Sequence, residues 1–200
     1  MVGLILPALF GAVLALIVRR PGAGAAPLSV CWRPVAAAAL VMQVILFTPP
    51  VDHEPWAVAW GPWLYVASMV AVCAVLVRSA LASGPARFPW LLAALGVGLN
   101  VIVVTANGGY MPQSPAARQS LTSAPIATDG LTNVVPLTDE SRLPLLADII
   151  AQPSWMPLHN VISVGDLLLA GGVGWGAFLW AGGRRRQAGI RPATMSLASR

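Results

Sequence analysis

The strongest constraint on this chain is a set of five stretches with almost no charge. They cover residues 2–18, 34–47, 56–77, 88–106 and 160–183, the last broken only by Asp166. An α-helix needs about 20 apolar residues to cross lipid hydrocarbon, and about 17 is the lower bound. Backbone amides inside lipid must be bonded within their own segment, so runs of this kind read as helices. Composition agrees, with 10% charged and 57% hydrophobic residues. A soluble domain carries about a quarter charged residues. The predicted fold class is therefore all-α, a polytopic membrane helical bundle of five transmembrane helices. Residues 1–106 hold the first four and residues 160–183 the fifth.

The arginines set the orientation. Placing the loop after the first run inside puts Arg19, Arg20, Arg33, Arg78, Arg87, Arg184, Arg185, Arg186, Arg191 and Arg200 inside, with no acid among them. Arg118 and Arg142 fall outside with most of the acids. Cytoplasmic loops carry the excess of basic residues. This places the N-terminus outside and the C-terminus in the cytoplasm, with residues 184–200 as a basic cytoplasmic tail. The charges Arg19 and Arg20 follow the first run, so it reads as a retained helix and not a cleaved leader. The expected location is a bacterial cytoplasmic (inner) membrane. Membrane lipids are the first expected partner, with a membrane-protein partner or a homo-oligomer as the second.

The net charge of +5 does not point to nucleic acid, because the basic residues lack a patch with interleaved aromatics. Cys31 and Cys73 fall in different environments, which argues against a disulfide. No Cys/His spacing suggests zinc, and no metal or cofactor is expected.

Residues 107–159 form a long connection between the fourth and fifth runs. It opens with "NGGYMP", Asn107 to Pro112. Asn-Gly and Gly-Gly favour positive φ, and Pro112 forbids helical continuation. A plain helix stop needs only one of these, so the stretch reads as a loop of fixed shape. Residues 113–132 are rich in Ser, Ala, Thr and Pro and read as mobile. Near residues 142–151, Leu143, Leu145, Leu146, Ile149 and Ile150 surround Asp148, which suggests a short amphipathic or re-entrant helix at the outer leaflet.

Asp166 lies about 9 Å along the fifth run at ~1.5 Å per residue. An acid there faces the bundle interior or a wet cavity. On a helix, His159, Ser163 and Asp166 fall at i, i+4 and i+7, one stripe. Asp166 then either fixes packing or forms part of a site. Asp148 could join it as a carboxyl pair, one protonated and one ionised, activating water. The plainer alternative makes Asp148 the polar edge of an amphipathic helix. The candidate catalytic residues are Asp148 and Asp166. The candidate binding residues are Asn107, Gly108, Gly109, Met111, His159, Asn160 and Ser163. Asn100 and Gln43 read as interhelical hydrogen bonders, and Gly96, Gly98, Gly171, Gly172, Gly174 and Gly176 as close-packing positions.

Two resemblances attach to these residues. "NGGYMP", with "LADII" (residues 146–150) and "ISVGDLLLAGG" (residues 162–172), resembles a family of uncharacterised bacterial polytopic membrane proteins. Those proteins carry Asn-Gly-Gly-x-Met-Pro after a penultimate span and Ser-x-Gly-Asp entering the last. The resemblance implies a cytoplasmic-membrane location and no established activity. "HNVISVGDLLLAGGVG" is similar to the last catalytic motif of lipoprotein signal peptidase, where Asn-x-x-Asp opens the final helix. Ser163 stands where the peptidase has Asn, and no Asn-x-x-Asp-Arg motif supplies a first aspartate. Three functional classes follow: a non-enzymatic component or small subunit with a fixed polar site at the outer face, an intramembrane aspartyl hydrolase using Asp148 and Asp166, or an ion- or proton-coupled transport component using Asp166.

Overall fold

A computed structural model describes residues 31–121, 130–156 and 159–189. The first predicted run, residues 2–18, lies outside them, as do residues 190–200 of the basic tail. The described chain is mostly helical. Helices α1 (Arg33–Leu46), α2 (Pro55–Ala82) and α3 (Phe88–Ala106) come first. They are followed by a short α4 (Pro115–Gln119) and then α5 (Val164–Gly189). Two small sheets accompany them: β1 (Met111–Gln113) pairs in parallel with β2 (Val134–Pro136), and β3 (Ile150–Ala151) antiparallel with β4 (Val161–Ile162).

Proline begins three of the long helices. Pro34, Pro55 and Pro89 occupy their first turns, where the missing N–H has no helical acceptor to lose. Pro49 and Pro50 prevent α1 from continuing beyond Phe47. At 14 residues, α1 rises ~21 Å, short of the ~30 Å of lipid hydrocarbon. By length and composition, two helical segments, Pro55–Ala82 and Gly84–Ala106, can cross a membrane. The apolar part of α5, Val164–Leu179, is shorter.

The end of α3 answers the question raised by "NGGYMP". Gly109 N donates to Val104 O at 2.9 Å and Gly108 N to Thr105 O at 3.3 Å. This is the paired bonding of a Schellman cap, with Gly108 at φ 70° and Gly109 at φ 97°. A Cβ on Gly109 would collide with Pro62 of α2. The first glycine is thus required by the turn and the second also by a close approach to a neighbouring helix.

The broadest helix contact joins α3 to α5. Glycines bring the two backbones together. A Cβ on Gly96 would meet Gly165 O and the Leu169 backbone, and one on Gly172 would meet Ala93 N and Pro89 O at 2.6 Å. The expectation of close packing is met at Gly96 and Gly172, while a Cβ on Gly98 would meet nothing within 4 Å. Gln43 bonds across from α1 to Ser68 of α2 at 2.8 Å, as an interhelical role requires. Three apolar clusters fill the remainder: Leu76, Ala93, Ala94 and Val97; Met69, Val103, Val104 and Met111; and Leu46, Ala57 and Leu131.

Three expectations are corrected. The last helix starts at Val164 and not at residue 160, because Val161–Ile162 is a strand paired to Ile150–Ala151. His159, Ser163 and Asp166 therefore do not form a helical stripe. Residues 142–151 hold only a 3-10 turn, Pro144–Leu146. A longer helix is prevented at one end by Leu143, which sits at φ 56°. At the other end, Asp148 gives its backbone bonds to Pro112 and Ser114. Of the segment expected to be mobile, residues 122–129 lie outside the described residues; beyond them Leu131 is 4% exposed, packs with Leu46 and Ala57, and its N–H donates to Asp52 O at 2.6 Å.

Gly172→Leu should force α3 and α5 apart and cost about 1–3 kcal/mol or more. Gly98→Ala, into open space, should stay within about 0.5 kcal/mol of the parent. Thermal unfolding of the purified protein in detergent compares the two. Equal melting temperatures for both variants would contradict the close α3–α5 contact.

Candidate functional site

The polar residues gather where α3 ends, α5 begins and the long connection folds over them. Ser163 precedes α5, and its Oγ accepts from Asp166 N at 3.0 Å. In return Asp166 Oδ2 accepts from Ser163 N at 3.0 Å. Two of the helix's otherwise orphaned donors are satisfied reciprocally, a capping box written Ser-x-x-Asp. The carboxylate also favours the positive end of the α5 dipole.

Asn100 on α3 ties this cap to the neighbouring helix. Its Nδ2 donates to Asp166 Oδ1 at 2.8 Å, and its Oδ1 lies 2.9 Å from Ser163 Oγ. The single Ser163 hydroxyl proton goes to Asn100 Oδ1 or to Asp166 Oδ2, the latter 3.0 Å away. Asn100 and Ser163 are 7% and 0% exposed, so burial makes each of these bonds expensive to lose. A Cβ on Gly165 would collide with Asn100 Oδ1. Ser163, Gly165 and Asp166 of the "SVGD" stretch each have a defined part in one interhelical lock.

Asp148 comes from the long connection. Its N–H donates to Pro112 O at 2.9 Å, and its carbonyl accepts from Ser114 N at 2.8 Å. These bonds stitch it alongside Gln113, which is 2% exposed. Asp148 is 7% exposed and its Oδ1 has no hydrogen-bond partner in the structure. Burial first, and the charge of Asp166 second, push its carboxyl up to about 8, while a hydrogen bond from Gln113 opposes the rise. The two aspartates thus lie within electrostatic range of one another. Tyr65 of α2 lies within range of both, with Asn133 bonded to its side chain. Arg118 of α4 donates to Gln113 Oε1 at 3.2 Å.

The other predicted site residues lie elsewhere. Asn107 uses both ends of its amide on the backbone of Arg142: Oδ1 accepts from Arg142 N at 2.9 Å and Nδ2 donates to Arg142 O at 3.0 Å. Its Nδ2 also reaches Val103 O at 2.8 Å. It clamps the connection to the end of α3. Gly108 and Gly109 shape the cap, and Met111 is buried at 5% among Met69, Val103 and Val104. His159 and Asn160 are exposed. The His159 ring lies 3.2 Å from Met156 O, and Asn160 exchanges backbone and side-chain bonds with Gln152. The structure therefore bonds Ser163 to Asp166, puts Asp148 within electrostatic range of Asp166, and leaves His159 and Asn160 bonded elsewhere.

Gln113, Tyr65 and Asn133 were not singled out by the sequence reading. Gln113 carried a signal, since it directly follows the constrained "NGGYMP". Asn133 and Tyr65 carried none, one lying in a polar connection and the other being a single tyrosine within an apolar run. Among the described residues, no group of three or more His, Cys, Asp or Glu side chains could hold a metal ion.

The raised Asp148 carboxyl gives a pH signature. Between pH ~4 and ~8 the unfolded chain releases this proton while the folded protein keeps it. Stability should therefore fall as pH rises through that window and level off above it. Asp148→Asn should flatten the slope and leave stability at pH 8 equal to or above the parent. Melting temperatures measured from pH 4.5 to 8.5 check this. An unchanged slope in Asp148→Asn would rule out Asp148 as its source.

No curated protein and no solved structure matches the chain. A family model does match, over residues 27–178, and it carries the description "family of unknown function (DUF5317)". The match takes in α1, α2, α3, the folded connection and the apolar part of α5. By that match, which covers well over half of its length, the chain belongs to the DUF5317 family.

Proposed function

We propose that this protein is a five-span component of the bacterial cytoplasmic membrane, with its N-terminus outside and its C-terminus in the cytoplasm. In this reading it performs no chemistry. The described parts of the connection between α3 and α5 present a fixed surface at the outer face to a membrane-protein partner or a second copy. The observation that carries the reading is how the cluster's bonds are used. Asp166 accepts from Asn100 Nδ2 and from Ser163 N, and both amide ends of Asn107 are bonded to Arg142. These groups hold the connection in shape. The exposed side of the same connection carries Leu143, Leu145, Ile149 and Trp155, with Leu145 and Trp155 each 78% exposed. Aromatic and aliphatic groups on a rigid backbone suit both the lipid interface and a protein contact.

A second reading draws on the proximity of the carboxyls. Asp148 holds its proton up to about pH 8 beside the charge of Asp166. A protonated carboxyl within electrostatic range of a second carboxyl is one part of the arrangement an aspartyl hydrolase uses. The two readings part on substitution. A hydrolase needs both carboxyls, whereas an amide at position 148 preserves the shape and neutrality of a protonated acid.

The test is photo-crosslinking in cells from position 145. The account expects a discrete adduct that persists in Asp148→Asn and is lost in Asn107→Ala, where the clamp on Arg142 is gone. Loss of the adduct in Asp148→Asn, with amide exchange of the connection unchanged, would overturn the non-enzymatic reading.

A further inference from the structure

The α2–α3 face carries a different feature. Val70, Cys73, Ala74, Val77 and Leu81 of α2 line one side of a groove of about 450 Å³, with Gly98 and Val101 of α3 on the other. The α2 positions follow helical spacing and form one continuous stripe. From Val70 to Leu81 the stripe runs ~16 Å, close to half of a ~30 Å hydrocarbon layer. The floor stays open at Gly98, where a Cβ would meet nothing within 4 Å.

The groove wall itself is almost wholly apolar. Arg78 lines it beside Trp32. Arg78 makes no hydrogen bond or ion pair among the described residues. Trp32 is 54% exposed and sits at φ 50°, a conformation that a bulky residue adopts only when its surroundings hold it there. The neighbouring Cys31 N–H donates to Ser79 Oγ at 3.0 Å, which fastens this entry to α2.

No acidic side chain of the neighbouring sequence is at hand for Arg78. No Asp or Glu occurs in residues 1–51 or 55–128, and none follows Asp166. Asp52 and Glu54 flank the opposite end of α2. A second copy packed in the same orientation offers equally little at this level. An anion reaching the mouth of an apolar groove one leaflet deep, with an arginine and a tryptophan beside it, has the chemistry of a phospholipid head group.

We propose that this groove binds one acyl chain of an anionic phospholipid, whose phosphate is held by Arg78 and whose upper chain packs on Trp32. The site rests on the membrane reading given above. It is separate from the aspartate cluster: Asn100, between Gly98 and Val101 in sequence, bonds to Asp166 and Ser163 of the α5 side and does not line the groove.

The test is native mass spectrometry of the full chain released from bilayers of phosphatidylglycerol or of phosphatidylcholine. The parent should retain phosphatidylglycerol in preference to phosphatidylcholine. Arg78→Gln should lower phosphatidylglycerol retention by about tenfold. Arg87→Gln, which alters another exposed arginine, should not. Gly98→Leu should reduce retention of both lipids by filling the groove. Equal retention of phosphatidylglycerol by the parent and Arg78→Gln would overturn the proposal while leaving the membrane reading intact. A dimer that Gly98→Leu dissociates without changing lipid retention would also overturn it. Extraction of the parent from membranes by alkaline wash alone would instead strike at the membrane reading.

Discussion

The bonded group formed by Asn100, Ser163 and Asp166 is the interaction on which the rest of this structure depends. It closes the first turn of α5 and fixes that turn to α3 at the level where the long connection must dock. Its cost is the burial of a polar amide and a carboxyl between apolar helices. Its return is a unique register, because a shift of either helix by one turn would strand all three groups. Gly165 and Gly96 make the register possible by letting the helices approach until these short side chains meet.

Everything at the loop end is organised from that fixed point. The Schellman cap at Gly108 and Gly109 turns the chain off α3, and Asn107 hands it on to Arg142. Pro112 then places Gln113 beside Asp148, and two short ladders hold the returning chain. None of the sheets exceeds three residues per strand, so little of this is stabilised by sheet formation alone. The connection is ordered because its backbone groups find partners on the helix ends and on each other. Asp148 sits at the centre of that stitching, and its carboxyl is kept as a neutral acid by its burial and by the charge of Asp166.

Much of the helical frame was legible in the sequence. The run 88–106 coincides with α3, since prolines and glycines mark both its ends. Gly96, Gly172, Asn100 and Gln43 were read for the close packing and interhelical bonding they show. The start of α5 was misread for a definite reason. Val161 and Ile162 are apolar, so a hydropathy window runs straight through them, although they pair as a strand with residues 150–151. The Ser-x-x-Asp spacing that suggested one helical stripe is instead the signature of a cap. Leucines around Asp148 gave a helical pattern that Leu143 and the backbone bonds of Asp148 defeat. The parallel pairing of 111–113 with 134–136 had no local signal, because parallel strands are joined only through a long crossover. Here that crossover contains α4 and a polar stretch with no period of its own.

The central claim is that the described parts of residues 107–159 form a fixed surface on the helix ends and not a loose tether. Amide hydrogen exchange on the protein in lipid nanodiscs tests it most directly. The account predicts that the N–H groups of Met111, Ser114, Leu131 and Asp148 exchange slowly, with protection comparable to the interior of α3. Exchange of these four amides at the rate of an unstructured peptide, while α3 stays protected, would contradict it.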